Sequence, residues 1–175
     1  MNIVSMAAII EMENKFNVSE VLNKIPETEP CLRWAKMYFS ENKNYVALYE
    51  SGKVLISGVK SDEELNIIAN NLVEYLKSYG ISNSIRNIKV NNYVLADQIG
   101  HNIDLNHLIV ELFEYDASYE PEQFPALKFK DQYGITYLLF NSGKITITGV
   151  KSLENIDTYV NEFKDLIHEK SNVKY

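Results

Sequence analysis

The sequence holds a single cysteine, Cys31, so no disulfide can close within the chain and no thiolate cluster can hold a metal. It has three histidines, His101, His107 and His168, and no two of them stand at a metal-ligand spacing. No apolar run approaches the roughly 20 residues of a membrane span. The opening Met1-Asn2-Ile3-Val4-Ser5 lacks a basic segment followed by an apolar one, so no signal peptide is read. A soluble chain, cytoplasmic and with no membrane partner, is the expectation. There is no P-loop, no local nucleophile motif and no paired-carboxylate site, so neither catalysis nor a cofactor is expected. Positive charge is the minority sign: 17 Lys and Arg against 24 Asp and Glu, a formal net charge of −7. That excludes a generally basic nucleic-acid coat and leaves a locally basic face open. With 46% hydrophobic residues among 175, a packed core is expected in one ordinary domain or two small ones.

What the chain does contain is a duplication. Residues 51–61 read SGKVLISGVKS and residues 142–152 read SGKITITGVKS, identical at eight of eleven positions and 91 apart. At nearly that offset, Asn2-Ile3-Val4 returns as Asn92-Tyr93-Val94, and Val46 to Tyr49 return as Tyr137 to Phe140. Pro30 with Lys36 is matched to Pro121 with Lys128. Two copies, 1–82 and 83–175, point to a pseudo-twofold pair, since a solenoid needs three or more. Each copy opens with a strand (Ile3 to Ile10; Ile88 to Ala96) and continues with a short helix, Asn17 to Ile25 in one and capped by Asp104 in the other. Three β-like runs follow, the last two joined at Ser51-Gly52 and Ser142-Gly143. A long helix closes each copy. Ser61 with Glu64 reads as a capping box and Gly80 as a stop, and the second helix has its stripe at Leu153, Ile156, Val160, Phe163 and Ile167. Strands in runs with helices set apart predict an α+β fold, an antiparallel sheet with helices on one face.

Alternation then describes the other face. Val54, Ile56, Ile145 and Ile147 suit the long helices, so Lys53, Leu55, Ser57, Lys144, Thr146 and Thr148 point away. Asn2, Val4 and Met6, with Asn92, Val94 and Ala96, form a set from the opening strands, and Ala47, Tyr49, Leu138 and Phe140 add to it. Such a face is apolar, with amides and hydroxyls inside and lysines at the margin, where a solvated sheet face would carry Lys, Glu and Thr. Burial of both faces, for instance in a homodimer, is one reading. A binding surface is the other. Chargeless contacts with lysines at the rim suit the minor groove over A·T pairs, which presents only acceptors.

These residues resemble the TATA-box-binding protein family in its short archaeal form. Ser118-Tyr119-Glu120-Pro121-Glu122-Gln123-Phe124-Pro125-Ala126-Leu127 is close to the family's SYEPExFPGL. Leu138 to Lys144 and Thr148 to Ser152 match LLIFxSGK and TGAKS, Asn2 to Ser5 match NIVS, and Gly100 to Leu105 also has an archaeal look. The resemblance implies a saddle of about ten antiparallel strands with four helices on the convex side. Double-stranded DNA bearing a TATA element would lie against the concave side. This family is the type case of minor-groove binding with kinking by inserted side chains.

Carried onto this sequence, the resemblance gives minor-groove contacts at Asn2, Val4, Leu55, Ser57, Asn92, Val94, Leu138, Thr146 and Thr148. The intercalating positions fall at Phe124 and Phe140 in the second copy and at Leu32 and Tyr49 in the first. Phosphate contacts fall at Lys53, Lys60, Lys130, Lys144 and Lys151, while a family arginine is replaced by Tyr38. Glu120 and Glu122 match contacts to transcription factor B, through which RNA polymerase is recruited. The implied function is a general initiation factor that binds and bends promoter DNA. The changes at Leu32, Tyr38 and Tyr49 leave a second reading, a paralogous regulator that acts mainly by binding transcription factor B. A saddle domain serving an enzyme as a nucleic-acid clamp is a third. Outside the family pattern, Phe124 and Phe140 would be read as core residues and the Ser-Gly-Lys hairpins as ordinary turn chemistry.

Overall fold

The computed structural model describes residues 1–171. It is a ten-stranded antiparallel sheet with four helices: β1 (Asn2–Met12), α1 (Val18–Lys24), β2 (Glu29–Pro30), β3 (Trp34–Phe39), β4 (Asn44–Tyr49), β5 (Lys53–Val59), α2 (Asp62–Ser78), β6 (Ile85–Gln98), α3 (Leu105–Glu111), β7 (Asp116–Ser118), β8 (Ala126–Lys130), β9 (Thr136–Phe140), β10 (Lys144–Val150) and α4 (Ile156–Ser171). Among the described residues no helix is long and apolar enough to cross a membrane. The chain divides into two compact units: Ser5–Asn91, and Met1–Val4 with the residues from Asn92 onward.

In the first unit the strands pair in the order β2-β3-β4-β5-β1. Residues that share a rung share a face, and Ala35, Leu48, Val54 and Ile10 form one buried rung beside Met37, Val46, Ile56 and Ala8. Helix α2 supplies Leu65, Ile68, Leu72 and Leu76 to this core, each worth roughly 1.5–3 kcal/mol on burial. Its start is fixed by Ser61, whose hydroxyl accepts from the Glu64 N–H at 3.1 Å, while the Glu64 carboxylate accepts from the Lys60 N–H at 2.8 Å. Its end is fixed by Gly80 at φ +78°, with the Ile81 N–H returning to the Leu76 carbonyl at 3.0 Å. Asn17 caps α1 by accepting from the Glu20 N–H at 3.1 Å.

The second unit repeats this plan with β6-β10-β9-β8-β7. Asp104 caps α3 through the Asn106 and His107 N–H groups. Ile156, Val160, Phe163 and Ile167 of α4 are buried against Leu95, Leu127, Phe129, Tyr137, Leu139, Ile145 and Ile147. Leu153 does not join the stripe. It precedes α4 and is exposed.

The Ser-Gly-Lys turns do more than reverse the chain. Gly52 and Gly143 have φ of +88° and +79°, and their carbonyls accept from the Met12 and Ile99 N–H groups at 3.0 and 2.8 Å. A Cβ on Gly143 would stand 2.3 Å from the His101 carbonyl oxygen, and one on Gly52 would stand 2.7 Å from that of Asn14. Glycine is needed at both for its φ and for this close approach. Each turn thereby locks the β4–β5 or β9–β10 hairpin to the loop that follows the opening strand.

Candidate nucleic-acid interface

The side of each half-sheet opposite its buried rungs carries most of the expected contact residues. In the second unit Ala96, Thr146, Leu138 and Lys128 follow one another across β6, β10, β9 and β8, and the next rung holds Thr148, Thr136 and Lys130. Asn92, Val94, Leu138, Thr146 and Thr148 are half-buried, and Lys130, Lys144 and Lys151 are exposed. Amides, methyls and hydroxyls therefore line the middle, with ammonium groups beyond. Phe140, at the end of β9, lies beside a recess of about 640 Å³ also lined by Asn2, Ala96, Lys144 and Thr146.

The loop 119–125 carries Phe124. Its backbone makes one helical turn, in which the Glu120 carbonyl accepts from the N–H groups of Gln123 and Phe124, both at 2.9 Å. That turn brings the exposed Phe124 ring edge-on to Phe140, with centroids 6.2 Å apart. Glu120 and Glu122 stand exposed on the same loop, a negative surface suited to a basic partner.

The first unit differs at three places. First, its connection is shorter. Glu29 pairs with Lys36 as Ser118 pairs with Lys128, and four residues, 30–33, join Glu29 to Trp34 where seven, 119–125, join Ser118 to Ala126. The match of Pro30 to Pro121 is thereby corrected: Pro30 lies in β2 opposite Ala35, and Pro121 lies in the longer loop. The Cys31 N–H donates to the Trp34 carbonyl at 2.9 Å, which leaves Leu32 and Arg33 as the tip of a tight hairpin. Leu32 is 95% exposed there, and no loop turn of the Glu120 kind supports it.

Second, the opening strand is read in a different register from the one its Asn-x-Val motif suggested. Met6 pairs with Val59 and Ala7 with Ser57, while Tyr93 pairs with Val150 and Leu95 with Ile147. Counted along these rungs, Ser5 and Ala7 occupy the places of Asn92 and Val94. Asn2 and Val4 precede those places, belong to the other unit and are exposed. The helix caps agree, since Asn17 follows Ser5 by the same interval as Asp104 follows Asn92. A three-residue motif is weaker evidence of register than a ladder of paired strands. Met6 likewise leaves the open set, because its rung partner Val59 lies in the core and Met6 is buried with it.

Third, the outer part of this face is aromatic. Trp34 pairs with Tyr49 as Ala126 pairs with Phe140, Tyr38 takes the place of Lys130, and Tyr45 that of Thr136. The rings touch: Trp34 to Tyr49 at 5.5 Å, Tyr38 to Tyr45 at 5.9 Å, and the Trp34 indole N–H donates to the Tyr45 hydroxyl at 3.3 Å. Ala47, on the same face, is fully buried. Burial, with Tyr45 adding to it, pushes the Tyr49 hydroxyl up from its ordinary pKa, so the ring carries no charge at any physiological pH. Sequence reasoning reaches Tyr38 and Tyr49 of this set and misses Trp34 and Tyr45. The signal for Trp34 was the Lys36/Lys128 match, which sets it opposite Ala126.

The cations differ too. Lys53 and Lys60 are exposed, and Leu55 and Ser57 are half-buried on this face. Lys53 is paired across strands with Glu11, which also meets Arg86 at 3.3 Å. Lys36 is held by Glu29 at 3.1 Å. Lys36 and Lys53 of the first unit thus have carboxylates opposite them in the ladder, where Lys128 and Lys144 of the second face Ser118 and Gln98.

Comparison with known proteins agrees with this geometry. Residues 87–170 match the family model described as transcription factor TFIID, or TATA-binding protein. A TATA-box-binding protein of Methanocaldococcus jannaschii is 36% identical over 165 residues, covering 91% of this chain and 86% of that one. TATA-box-binding protein 2 of Haloferax volcanii is 35% identical over 134 residues, covering 75% and 72%. The solved structure of Methanococcus jannaschii TBP superposes with a TM-score of 0.82 at 29% identity, covering 96% of this chain and 97% of that one.

Proposed function

The chain belongs to the TATA-box-binding protein family, whose members are DNA-binding factors and not enzymes, and from that premise we propose that it is a transcription initiation factor. It binds a TATA-like element of double-stranded DNA through the minor groove, bends it, and presents the complex to transcription factor B and then RNA polymerase. It works in the cytoplasm, at the chromosome.

The observation that carries this reading is the second unit's open face. Asn92, Val94, Leu138, Thr146 and Thr148 offer donors and methyls with no formal charge, which suits a groove floor of adenine N3 and thymine O2. The Phe124–Phe140 pair stands at the end of that face, where inserted rings can replace lost base stacking and lower the cost of a kink. Lys130, Lys144 and Lys151 are exposed, and their ammonium groups suit phosphates. Glu120 and Glu122 share the loop of Phe124, so the residues read as meeting transcription factor B are positioned by the same turn that positions a wedge.

The first unit favours a second reading. With Ser5 and Ala7 central, a shorter hairpin and Lys36 held by Glu29, its hold on DNA is weaker, and a regulator that works chiefly through transcription factor B is the alternative. Without DNA, the exposed apolar face also suits self-association as a homodimer.

A gel-shift series over salt, with a TATA duplex and a G·C duplex of equal length and with and without transcription factor B, tests both. The initiation-factor reading expects a TATA-selective shift and bend by the protein alone, weakening as salt rises. A pull-down of transcription factor B with no TATA shift at low salt would establish the regulator instead.

A further inference from the structure

We infer that Trp34, and not Leu32, is the partner of Tyr49 in the first repeat's end contact with DNA, so that this end is met by a pair of rings mounted on the sheet and not by a loop-borne wedge. The inference rests on the proposal that these faces bind a TATA element.

In the second unit two rings make the end contact, Phe140 from the last position of β9 and Phe124 from the seven-residue loop, 6.2 Å apart. Tyr49 is the register equivalent of Phe140. Its ring partner is supplied differently. The connection before β3 is too short to bring a loop side chain back over Tyr49, and Leu32 projects from the hairpin tip at 95% exposure. The place of the buried Ala126 is instead filled by Trp34, whose ring lies 5.5 Å from that of Tyr49 at an interplanar angle of 36°. A ring on the strand thus replaces a ring on the loop.

The mounting decides what the pair can do. The Trp34 indole N–H is already satisfied by the Tyr45 hydroxyl at 3.3 Å, so the indole needs no polar partner from DNA and its orientation is fixed. A strand side chain held this way reaches less far from the sheet than Phe124 does on its turn. The Trp34–Tyr49 pair therefore packs on the sugars and base edges of its end step and unstacks it less than Phe124 and Phe140 unstack theirs. Arg33, beside Leu32 at the tip, is left to meet a phosphate.

Trp34 is the one tryptophan in the chain, which gives a direct readout. Titration of the protein with a TATA duplex, followed by gel shift and tryptophan emission together, is expected to quench or shift the emission in step with the bound fraction. Trp34→Ala is expected to weaken binding roughly fivefold to tenfold, the lower part of the range for loss of one ring–base contact. Trp34→Phe should restore most of that loss, and Leu32→Ala should stay within about twofold of the parent, below the tenfold that 1.4 kcal/mol represents. A shifted complex whose tryptophan emission is unchanged overturns the inference and leaves the function standing, as does a larger loss from Leu32→Ala than from Trp34→Ala. Absence of any TATA shift overturns the proposed function itself. Circular dichroism of each variant separates misfolding from lost contact, and the parent's emission change needs no variant at all.

Discussion

The two repeats distribute their aromatic rings differently over the same scaffold, although both carry one on the open side at the place of Tyr49 and Phe140. In the second repeat the rings are inside: Phe129, Tyr137 and Phe163 pack on one another, with Tyr137 and Phe163 stacked at 4.1 Å. The register equivalents of Phe129 and Tyr137 in the first repeat are Met37 and Val46, and the 91-residue offset sets Leu72 against Phe163; these three have no rings and are buried as deeply. On the open side the first repeat has more rings. Trp34, Tyr38, Tyr45 and Tyr49 stand where the second repeat has Ala126, Lys130, Thr136 and Phe140. The core tolerates this exchange because a packed interior asks for volume and apolarity more than for particular residues. The open face has no such freedom if it must fit one groove, so the exchange there changes what each half can do. The backbone locks, the capped helices and the Ser-Gly-Lys turns are common to both repeats, and the contact surface is where they part.

The largest expected effect concerns what the repeats share. Gly143→Ala places a Cβ against the His101 carbonyl at a φ that disfavours any side chain, and Gly52→Ala does the same less severely against Asn14. A loss of about 3 kcal/mol or more is expected at Gly143 and somewhat less at Gly52, from backbone strain plus displacement of a packed loop. Gly134→Ala is the control: its φ is also positive, but its Cβ would meet nothing within 4 Å, so about 1 kcal/mol is expected from the backbone alone. Urea unfolding of the three variants should preserve this order. Equal losses at Gly143 and Gly134 would mean that the close approach to His101 does not matter.

Next in size is the contrast between the wedges. Phe140→Ala removes a ring that the Phe124 loop is built to meet, and base–aromatic contacts are each worth about 1–3 kcal/mol, or roughly fivefold to 150-fold in affinity. The upper part of that range is expected for Phe140→Ala, together with a smaller bend by fluorescence transfer between the duplex ends. Tyr49→Ala should cost only a few-fold and leave the bend nearly unchanged, because a sheet-mounted pair contributes area more than insertion. Equal loss of bend from the two variants would remove the asymmetry between the halves.

How far the sequence discloses this molecule depends on how each feature is encoded. The α+β plan, both capped short helices and the Ser61–Glu64 start were legible because caps and stripes are local signals. The SGK repeats were legible because identity at eight of eleven positions fixes an offset. The opening strand was not, since Asn-x-Val occurs near the start of both copies but three residues out of register, and only the ladder with β5 reveals Ser5 and Ala7 as the equivalents. Leu32 stands two residues before Trp34 as Phe124 stands two before Ala126, so counting gives its place but not the supporting turn, which the shorter connection lacks. Trp34 was hidden because alternation says which face a side chain takes but not which ring it will touch from the neighbouring strand.

The smallest expected effect lies behind the face, where the rung equivalent of the first repeat's buried Ile10 is Asp97. Burial pushes the Asp97 carboxyl pKa up, but the hydrogen bond from Lys164, the Gln98 N–H and the charges of Lys164 and the N-terminal amine outweigh it and hold the pKa below the usual carboxylate range. Lys164 reaches it at 2.7 Å from α4 and the Met1 amine at 3.6 Å. A carboxylate with a depressed folded-state pKa adds stability that is fully present above its unfolded value, near 4, and disappears as the pH falls through the folded value. Asp97→Asn should therefore cost less than about 1 kcal/mol near neutrality, the range of partly exposed ion pairs. The difference between parent and variant should close as the pH is lowered below about 4, where the parent's own carboxylate is being protonated. Ile10→Val, its counterpart in the first repeat, trims a buried methylene and should cost about 1 kcal/mol at every pH. Unfolding free energies of the three proteins from pH 2 to pH 7 distinguish the two kinds of contact: an Asp97→Asn deficit that stays constant down to pH 2 would show that the side chain acts by packing, as Ile10 does, and not by its charge.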